Sequence, residues 1–254
     1  MDEKTLELLT YLHVKNHRQG PGSDAAFKRA LDLARIDTSA DIKIADIGAG
    51  TGSASIPLLK QTAATVTAVE LLPAFLEKLQ SNAESEGVAD RLQTIEADMA
   101  DLPFENEQFD AIWSEGAIYN IGFETGVQKW NRFLKPGGVL VASEITWLRS
   151  DIPEEIKSYW EQEYPEIDVA SKKLSVLEKN GYSPIGYFTL SPDCWLAEYY
   201  EPVQADISAF LKRNENSSKA REIVEAEKQE YELYKKYQDY YSYGVYIAKK
   251  MKLT

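Results

Sequence analysis

The 254-residue sequence predicts an α/β fold with a seven-stranded, mostly parallel sheet and helices on both of its faces. Two observations lead to this prediction. Short apolar runs alternate with amphipathic stretches from about residue 42 to residue 142, which is typical of strand–helix repeats in a parallel sheet. A glycine-rich turn, "GAGTG" at 48–52, follows the first apolar run and leads into a helix, as at the ligand-binding edge of such sheets.

The elements follow in order along the chain. The predicted strands are "IKIADIG" (42–48), "TVTAVEL" (65–71), "LQTIEAD" (92–98), "FDAIWSEGA" (109–117), "LKPGGVLVASEI" (134–145), "IGYFTLS" (185–191) and "YYSYGVYIAKK" (240–250). Helices are predicted at "GSASIPLLKQT", "PAFLEKLQSNAESEG" and "VQKWNRFL", and then over 150–168 and 171–182. Pro73 suits a helix start and Gly87 a helix end. Residues 193–240 are charged and aromatic and are predicted to be mostly helical.

This order predicts a single domain over 1–254. Residues 1–23 would form an N-terminal lid and residues 24–148 the ligand-binding core. The C-terminal part, 149–254, would carry a helical insertion at about 193–240 on the substrate side, before the last strand.

The composition indicates which classes of partner are not expected. The formal net charge of −13 repels a phosphate backbone, so nucleic acid is not expected as a partner. No apolar run reaches the roughly 18 residues of a membrane helix, so membrane insertion is not expected either. The start, "MDEKTLELL", lacks the apolar core of a secretory signal, and the single cysteine, Cys194, cannot form an internal disulfide. We therefore expect a cytoplasmic protein, and either a monomer or a homodimer fits the sequence.

The glycine turn does not have the spacing that is typical of a dinucleotide-binding site. A dinucleotide fingerprint reads G-x-G-x-x-G, but counting from Gly48 its third glycine falls on Ser53. Acids also stand at or near the predicted strand ends, where a pyrophosphate would be repelled; they are Asp46, Glu70, Asp98, Glu115 and Glu144. A cationic ligand would be attracted instead. S-adenosylmethionine (SAM) carries a sulfonium and an ammonium and has no phosphate.

At this point the chain resembles the class I SAM-dependent methyltransferases, which have a Rossmann-like sheet. The motifs that carry the resemblance are "DIGAGTG" (46–52), "VEL" (69–71), "EADMADLPF" (96–104), "FDAIWSEGAIYNI" (109–121) and "LKPGGVLVASE" (134–144). They cover about residues 24–148, and the two closing strands extend the match. "SEGAIYNI", "RQGPGS" and "DCW" further resemble a subgroup often filed with the ubiquinone/menaquinone biosynthesis methyltransferases.

The resemblance implies a role for each matching position. The cofactor-binding residues would be Arg18, Gly22, Asp46, Gly48, Ala49, Gly50, Glu70, Leu71, Asp98, Met99, Glu115 and Gly116. Glu70 would accept from the ribose hydroxyls, Asp98 from the adenine amino group, and Arg18 would pair with the methionine carboxylate. Other interpretations stay open: a solvated strand-end acid for Glu70, a helix N-cap for Asp98 and an ordinary loop around Arg18.

The acceptor side is less defined. His17, Glu144 and Tyr119 are candidate catalytic residues, because an oxygen or carbon acceptor loses a proton. Candidate substrate-binding residues are Tyr119, Asn120, Trp195 and Tyr199, whose aromatic rings suit a flat or apolar molecule, although a core position for Trp195 and Tyr199 is an equal alternative. The sequence shows no metal-ligand cluster.

The leading hypothesis is a methyltransferase that uses SAM and yields S-adenosylhomocysteine (SAH), acting on a small aromatic or apolar molecule such as a quinone precursor. The alternative is a SAM-binding regulatory module without turnover, which predicts a blocked acceptor pocket. A nicotinamide-dependent oxidoreductase is disfavoured by the glycine spacing and by the acids.

Overall fold

The computed structural model describes residues 2–252 and contains an eight-stranded sheet. The strands are β1 (Lys43–Ile47), β2 (Thr65–Glu70), β3 (Leu92–Glu96), β4 (Phe109–Ser114), β5 (Leu134–Trp147), β6 (Asp168–Val169), β7 (Tyr182–Thr189) and β8 (Tyr241–Lys250). All seven predicted strands are present, and the predicted fold class is confirmed. The eighth strand, β6, is a two-residue addition beside β5 that is too short to leave a sequence pattern.

The strand order is β3-β2-β1-β4-β5-β8-β7, with β6 paired to β5 outside this path. Strands β1 to β5 are mutually parallel, whereas β8 runs antiparallel between β5 and β7. The central strands are buried over nearly their whole length because helices cover both faces, which explains their continuous apolar runs. In this order β2 and β3 lie on one side of β1, and β4 and β5 lie on the other side. Open α/β sheets bind ligands at such a change in strand order, here between β1 and β4.

Ten α-helices surround the sheet in the described part of the chain. They are α1 (Glu3–His13), α2 (Asp24–Ala34), α3 (Ser55–Gln61), α4 (Pro73–Ser85), α5 (Phe123–Asn131), α6 (Glu154–Glu163), α7 (Ala170–Lys179), α8 (Pro192–Trp195), α9 (Glu201–Arg213) and α10 (Ser218–Tyr237). Among residues 2–252, no helix is both long and apolar enough to cross a membrane.

Two hydrophobic layers hold the helices to the sheet. Phe27 of α2 and Leu58 of α3 pack on one face, together with Trp113 of β4. Trp130 of α5 and Leu177 of α7 pack on the other face. The two layers fix the carboxyl ends of β1, β2 and β4 at one edge of the sheet.

A third apolar cluster joins the two ends of the chain. Leu8 and Leu12 of α1 pack against Phe210 of α9 and Ile223 of α10. We call this three-helix unit, α1 with α9 and α10, the cap. The sequence predicts that the lid and the helical insertion are additions on the same edge of the fold. It does not reveal that their helices share an apolar core of their own.

Trp195 belongs to the protein core. Only 2% of its surface is exposed, its ring stacks on Tyr234 at 4.5 Å between centroids, and its indole Nε1 donates to Ser242 at 2.9 Å. The structure therefore takes Trp195 out of the expected acceptor pocket and makes it the link between the cap and β8. Its alternative interpretation, as a packing residue, fits the structure.

We expect Trp195→Ala to lower the free energy of unfolding by about 3–5 kcal/mol, because it leaves a large cavity between α10 and β8. Trp195→Phe keeps most of the ring and should lose only about 1 kcal/mol, mainly from the hydrogen bond to Ser242. Urea unfolding measures both values, with the exposed Tyr11→Ala as a control. A loss below 1 kcal/mol for Trp195→Ala would contradict the core assignment.

Candidate functional site

A cavity of about 530 Å³ lies at the carboxyl ends of β1, β2 and β4, beneath the segment that joins the cap to α2. Twelve of the predicted site residues line it: Arg18, Gly48, Ala49, Gly50, Glu70, Leu71, Asp98, Met99, Glu115, Gly116, Tyr119 and Asn120. They come from five separate segments of the chain. The structure therefore brings most of the motif residues together in one place.

The glycine turn is fastened to the end of β2. The amides of Gly48 and Ala49 both donate to the carbonyl of Val69, at 2.9 and 3.0 Å. Gly50 has a φ of +53°, in the left-handed region that glycine adopts without strain. The backbone of this turn forms one wall of the cavity.

Glu70 is the last residue of β2 and is held firmly by backbone donors. Its Oε2 accepts from the amide of Gly50 at 3.0 Å, and its Oε1 accepts from the amides of Leu71 and Leu72 at 2.8 and 3.2 Å. These bonds orient the carboxylate at the cavity wall. Oε2 keeps one lone pair for a further donor, whereas Oε1 already accepts two hydrogen bonds.

Asp46 lies behind the turn and does not line the cavity. It is 1% exposed, and its Oδ2 accepts from the Ser55 hydroxyl at 2.5 Å. Burial, to which the charges of Glu115 and Glu70 add, raises its pKa to about 7 against the opposing effect of the Ser55 hydrogen bond. Positive charge near Asp46 would favour its ionised form.

Asp98 caps a turn rather than a helix and also borders the cavity. Its Oδ1 accepts from the amide of Ala100 at 2.8 Å, so it caps the turn after β3, and it also lines the cavity. The carbonyl of the neighbouring Met99 accepts from the indole of Trp130 at 3.1 Å. This second bond fixes the segment against α5.

Arg18 enters the site from outside the sheet. Its Nη1 donates to Glu115 Oε2 at 3.2 Å, and its Nη2 lies 3.5 Å from Asp24. The side chain is 2% exposed, yet Nε and Nη2 have no hydrogen-bond partner. Gly22 does not line the cavity, but a Cβ at this position would collide with the Arg18 guanidinium, so only glycine lets the chain pass behind it.

Glu115 is held from two sides. The indole of Trp113 donates to its Oε1 at 2.8 Å, while Arg18 holds Oε2. The amide of the next residue, Gly116, donates to the Ser143 hydroxyl at 2.7 Å. The carboxylate is thus oriented before any ligand binds.

Gln19 is a site residue that the sequence analysis missed. Its Oε1 accepts from the amide and hydroxyl of Thr51 at 2.9 and 3.0 Å, and its Nε2 donates to the carbonyls of His13 and Asn16 at 3.2 and 3.0 Å. Gln19 therefore joins the end of α1 to the glycine turn. Gln19 lies within "RQGPGS", but the resemblance assigns roles there to Arg18 and Gly22 and gives no signal for this one.

The remaining candidates lie away from the cavity wall. His17 is exposed and lines a second cavity on the other side of the glycine turn, so the structure separates it from the first cavity. Glu144 was expected at the end of the fifth strand, but β5 continues to Trp147. Glu144 is fully buried and pairs with Lys173 at 3.1 Å. Tyr199 stacks on His13 at 6.1 Å between ring centroids, inside the cap.

Comparison with known proteins agrees with this geometry. Residues 44–138 match the family model described as "Methyltransferase domain". The chain is 34% identical over 112 residues to the methyltransferase GfsG of Streptomyces halstedii, covering 44% of this chain and 40% of that protein. It is 31% identical over 152 residues to the uncharacterized methyltransferase YodH of Bacillus subtilis, covering 60% and 62%. The chain thus spans less than two thirds of the length of these curated relatives.

Among solved structures, the chain is similar to a SAM-dependent methyltransferase from Geobacter sulfurreducens that was crystallised with SAH. The TM-score is 0.84 with 18% sequence identity, over 96% of this chain and 98% of that one. At this identity the likeness shows that the two chains share a fold. The shared fold includes the cap, since nearly the whole chain is covered.

The raised pKa of Asp46 predicts a pH-dependent effect of Asp46→Asn on stability. At pH 5 Asp46 is protonated in the folded protein and resembles asparagine, whereas at pH 8 the wild type carries a buried charge. We therefore expect the variant to gain about 2–4 kcal/mol in free energy of unfolding, relative to the wild type, between pH 5 and pH 8.

Urea unfolding at the two pH values measures this difference. The exposed Asp41→Asn serves as the matched control and should show no such gain. A difference between Asp46→Asn and wild type that stays constant from pH 5 to pH 8 would argue against the raised pKa.

Proposed function

Because the chain carries a methyltransferase domain and has the fold of the class I SAM-dependent methyltransferases, we propose that it transfers a methyl group from SAM to a small molecule. One observation carries the proposal. A buried arginine with unpartnered donors borders a cavity whose other charged side chains are the acids Glu70, Asp98 and Glu115. This pattern suits a ligand with one carboxylate and two positive charges, such as SAM.

The residues fit the methionine part of SAM. Arg18 has free guanidinium donors for the methionine carboxylate, in the bidentate geometry that arginine favours. Glu115 and, behind the turn, Asp46 would compensate the ammonium and the sulfonium. The arrival of that positive charge would also favour the ionised form of Asp46.

The residues fit the nucleoside part as well. Glu70 Oε2 keeps a lone pair for a ribose hydroxyl. We assign Asp98 and Met99, which line the same cavity, to the adenine edge. Leu71 is half exposed at the cavity and offers apolar cover for the base. A dinucleotide fits less well, because Arg18 is the single Lys, Arg or His side chain among the described residues that line the cavity.

SAM itself supplies the activated methyl group, which reacts by in-line displacement at the carbon. The protein would hold the acceptor in line with that carbon and exclude water. Tyr119, which is 38% exposed, and Asn120 line the cavity beyond Glu115 and are the residues we assign to the acceptor. Leu6 of the cap and Ile121 add apolar surface, which supports an acceptor with an aromatic or apolar body; a quinone precursor is one option.

The remaining properties are proposed on the same basis. The net charge of −13 favours a small acceptor over nucleic acid. The free, buried Cys194 is compatible with a reducing, cytoplasmic location. Either a monomer or a homodimer fits this proposal.

Glu70→Ala tests the ribose assignment. We expect the dissociation constant for SAM to rise by an amount equivalent to about 1–3 kcal/mol, because charge-assisted hydrogen bonds are lost. Titration calorimetry measures it. Glu96→Ala is the matched control, since Glu96 pairs with Glu70 in register on the neighbouring strand but is exposed and does not line the cavity. Equal affinities of wild type and Glu70→Ala would remove Glu70 from the site.

Arg18→Met tests the carboxylate assignment with two ligands. We expect SAM to bind about tenfold to a hundredfold more weakly, as for a lost hydrogen bond to a charged group. Binding of 5′-methylthioadenosine, which lacks the amino-acid part, should change little. If both ligands weaken to the same extent, Arg18 maintains the fold of the site and does not bind the carboxylate.

A further inference from the structure

Beyond the cavity lies a group of tyrosines and glutamates that the SAM site does not use. We call Tyr119, Tyr199, Tyr243, Glu144, Glu227 and Glu230 the tyrosine–glutamate cluster. It joins the cavity at two points. Tyr119 lines the cavity, and the ring of Tyr243 lies directly behind Gly116, where an added Cβ would stand 3.2 Å from Cε2 of Tyr243.

The sheet side of the cluster is built around Glu144. Its Oε1 accepts from Lys173 at 3.1 Å, and Lys173 also lies over the ring of Tyr164. Tyr164 in turn packs edge-on against Tyr119, at 6.1 Å between centroids. Glu144 is therefore connected to the cavity wall through two aromatic rings.

The cap side of the cluster contains two glutamates of α10. Glu227 Oε1 lies 3.1 Å from His13 Nε2, and Glu230 Oε1 accepts from the Tyr200 hydroxyl at 2.8 Å. The ring of Tyr199 stacks on His13 and packs at a tilt against Tyr200. Groups of α1 and α10 thus meet the aromatic segment that precedes α9.

The glutamates on the sheet side and on the cap side of the cluster affect the pKa values of the same tyrosines. Burial, and then the charges of Glu227 and Glu230, raise the pKa of Tyr199. Burial also raises the pKa of Tyr243, where Glu144 and Glu230 add to the effect, and desolvation with the same two glutamates raises the pKa of Tyr119. The phenol groups therefore share one negative environment, which Lys173 and His13 compensate only in part.

Two carboxylates of the cluster each have one oxygen atom that accepts no hydrogen bond. Glu144 is fully buried and Glu227 is 8% exposed, and in each the Oε2 has no hydrogen-bond partner. An unpaired buried carboxylate oxygen is costly, so a ligand with N–H donors and positive charge would be stabilised here. A ligand that carries a carboxylate offers neither N–H donors nor positive charge, and an alcohol offers one O–H donor without charge.

We propose that the methyl acceptor is a small primary or secondary amine with an apolar body, whose nitrogen is drawn to the tyrosine–glutamate cluster. This inference rests on the proposed function. The ammonium group would be attracted by the glutamates and the tyrosine faces, and the body would lie against the apolar wall at Leu6 and Ile121.

The reaction balances with the groups present. The bound ammonium gives one proton to a cluster carboxylate, the nitrogen lone pair forms the bond to the methyl carbon, and the electron pair of the broken C–S bond stays on sulfur. The products are a methylated ammonium and neutral SAH. Burial, to which the charge of Glu227 adds, raises the pKa of Glu230 to about 7, which suits a group that takes up and releases a proton near neutral pH.

The test uses three probes with one phenyl body: 2-phenylethylamine, 2-phenylethanol and 3-phenylpropionate. Each is titrated into the SAH-saturated protein and is assayed separately for transfer of labelled methyl from SAM. We expect the amine alone to bind and to be labelled. Glu227→Gln and Glu230→Gln should each weaken amine binding about tenfold without changing the affinity for SAM.

Glu222→Gln, an exposed position on the same helix, is the matched control and should change neither affinity. Preferential labelling of the alcohol or the acid would overturn the proposal. So would a SAM-binding protein that neither binds nor methylates the amine, or an amine affinity that is equal in all three glutamine variants. Failure of the wild type to bind SAM would instead refute the proposed function.

Discussion

The crowding of carboxylates at one edge of the sheet is the constraint on which the rest of the structure depends. Asp46, Glu70 and Glu115 stand at or near the carboxyl ends of three neighbouring strands, where burial, and then the charges of Glu115 and Glu70, raise the pKa of Asp46 to about 7. Arg18 is the cation that the structure places among them. The sheet motifs do not supply this cation, so the N-terminal segment has to fold over the edge.

This requirement explains the cap. Arg18 reaches Glu115 from the segment that follows α1, and α1 itself packs on α9 and α10. The apolar face of α1, with Leu8 and Leu12, is then covered by α9 and α10. Gln19 completes the arrangement, because its amide group bonds to the glycine turn and to the end of α1 simultaneously. The arrangement of charges in the site and the packing of the cap therefore depend on each other.

The sequence predicts those parts of the fold and site that depend on local pattern. Strand–helix alternation and the glycine turn suffice for the sheet, and the acids at or near strand ends converge because parallel strands end at one edge. Packing partners across the chain could not be predicted. Trp195 stands beside Tyr199 in an aromatic segment, and only the three-dimensional contact with Tyr234 places it in the core.

Glu144 and Gln19 are two further residues whose roles the sequence does not reveal. Glu144 is a conspicuous acid, but its partner Lys173 is one of two adjacent lysines in α7, and nothing local marks it as buried. Gln19 lies next to the predicted Arg18 but is chemically unremarkable in sequence. In both cases the role depends on a pairing between distant segments, which hydrophobic periodicity and motif spacing do not encode.

The most direct test of SAM binding is calorimetric titration of the wild-type protein with SAM, SAH and NADH under the same conditions. We predict that SAM and SAH bind one-to-one in the micromolar range and that NADH does not bind, because the cavity offers carboxylates and a single guanidinium. Micromolar binding of NADH without binding of SAM or SAH would contradict this prediction.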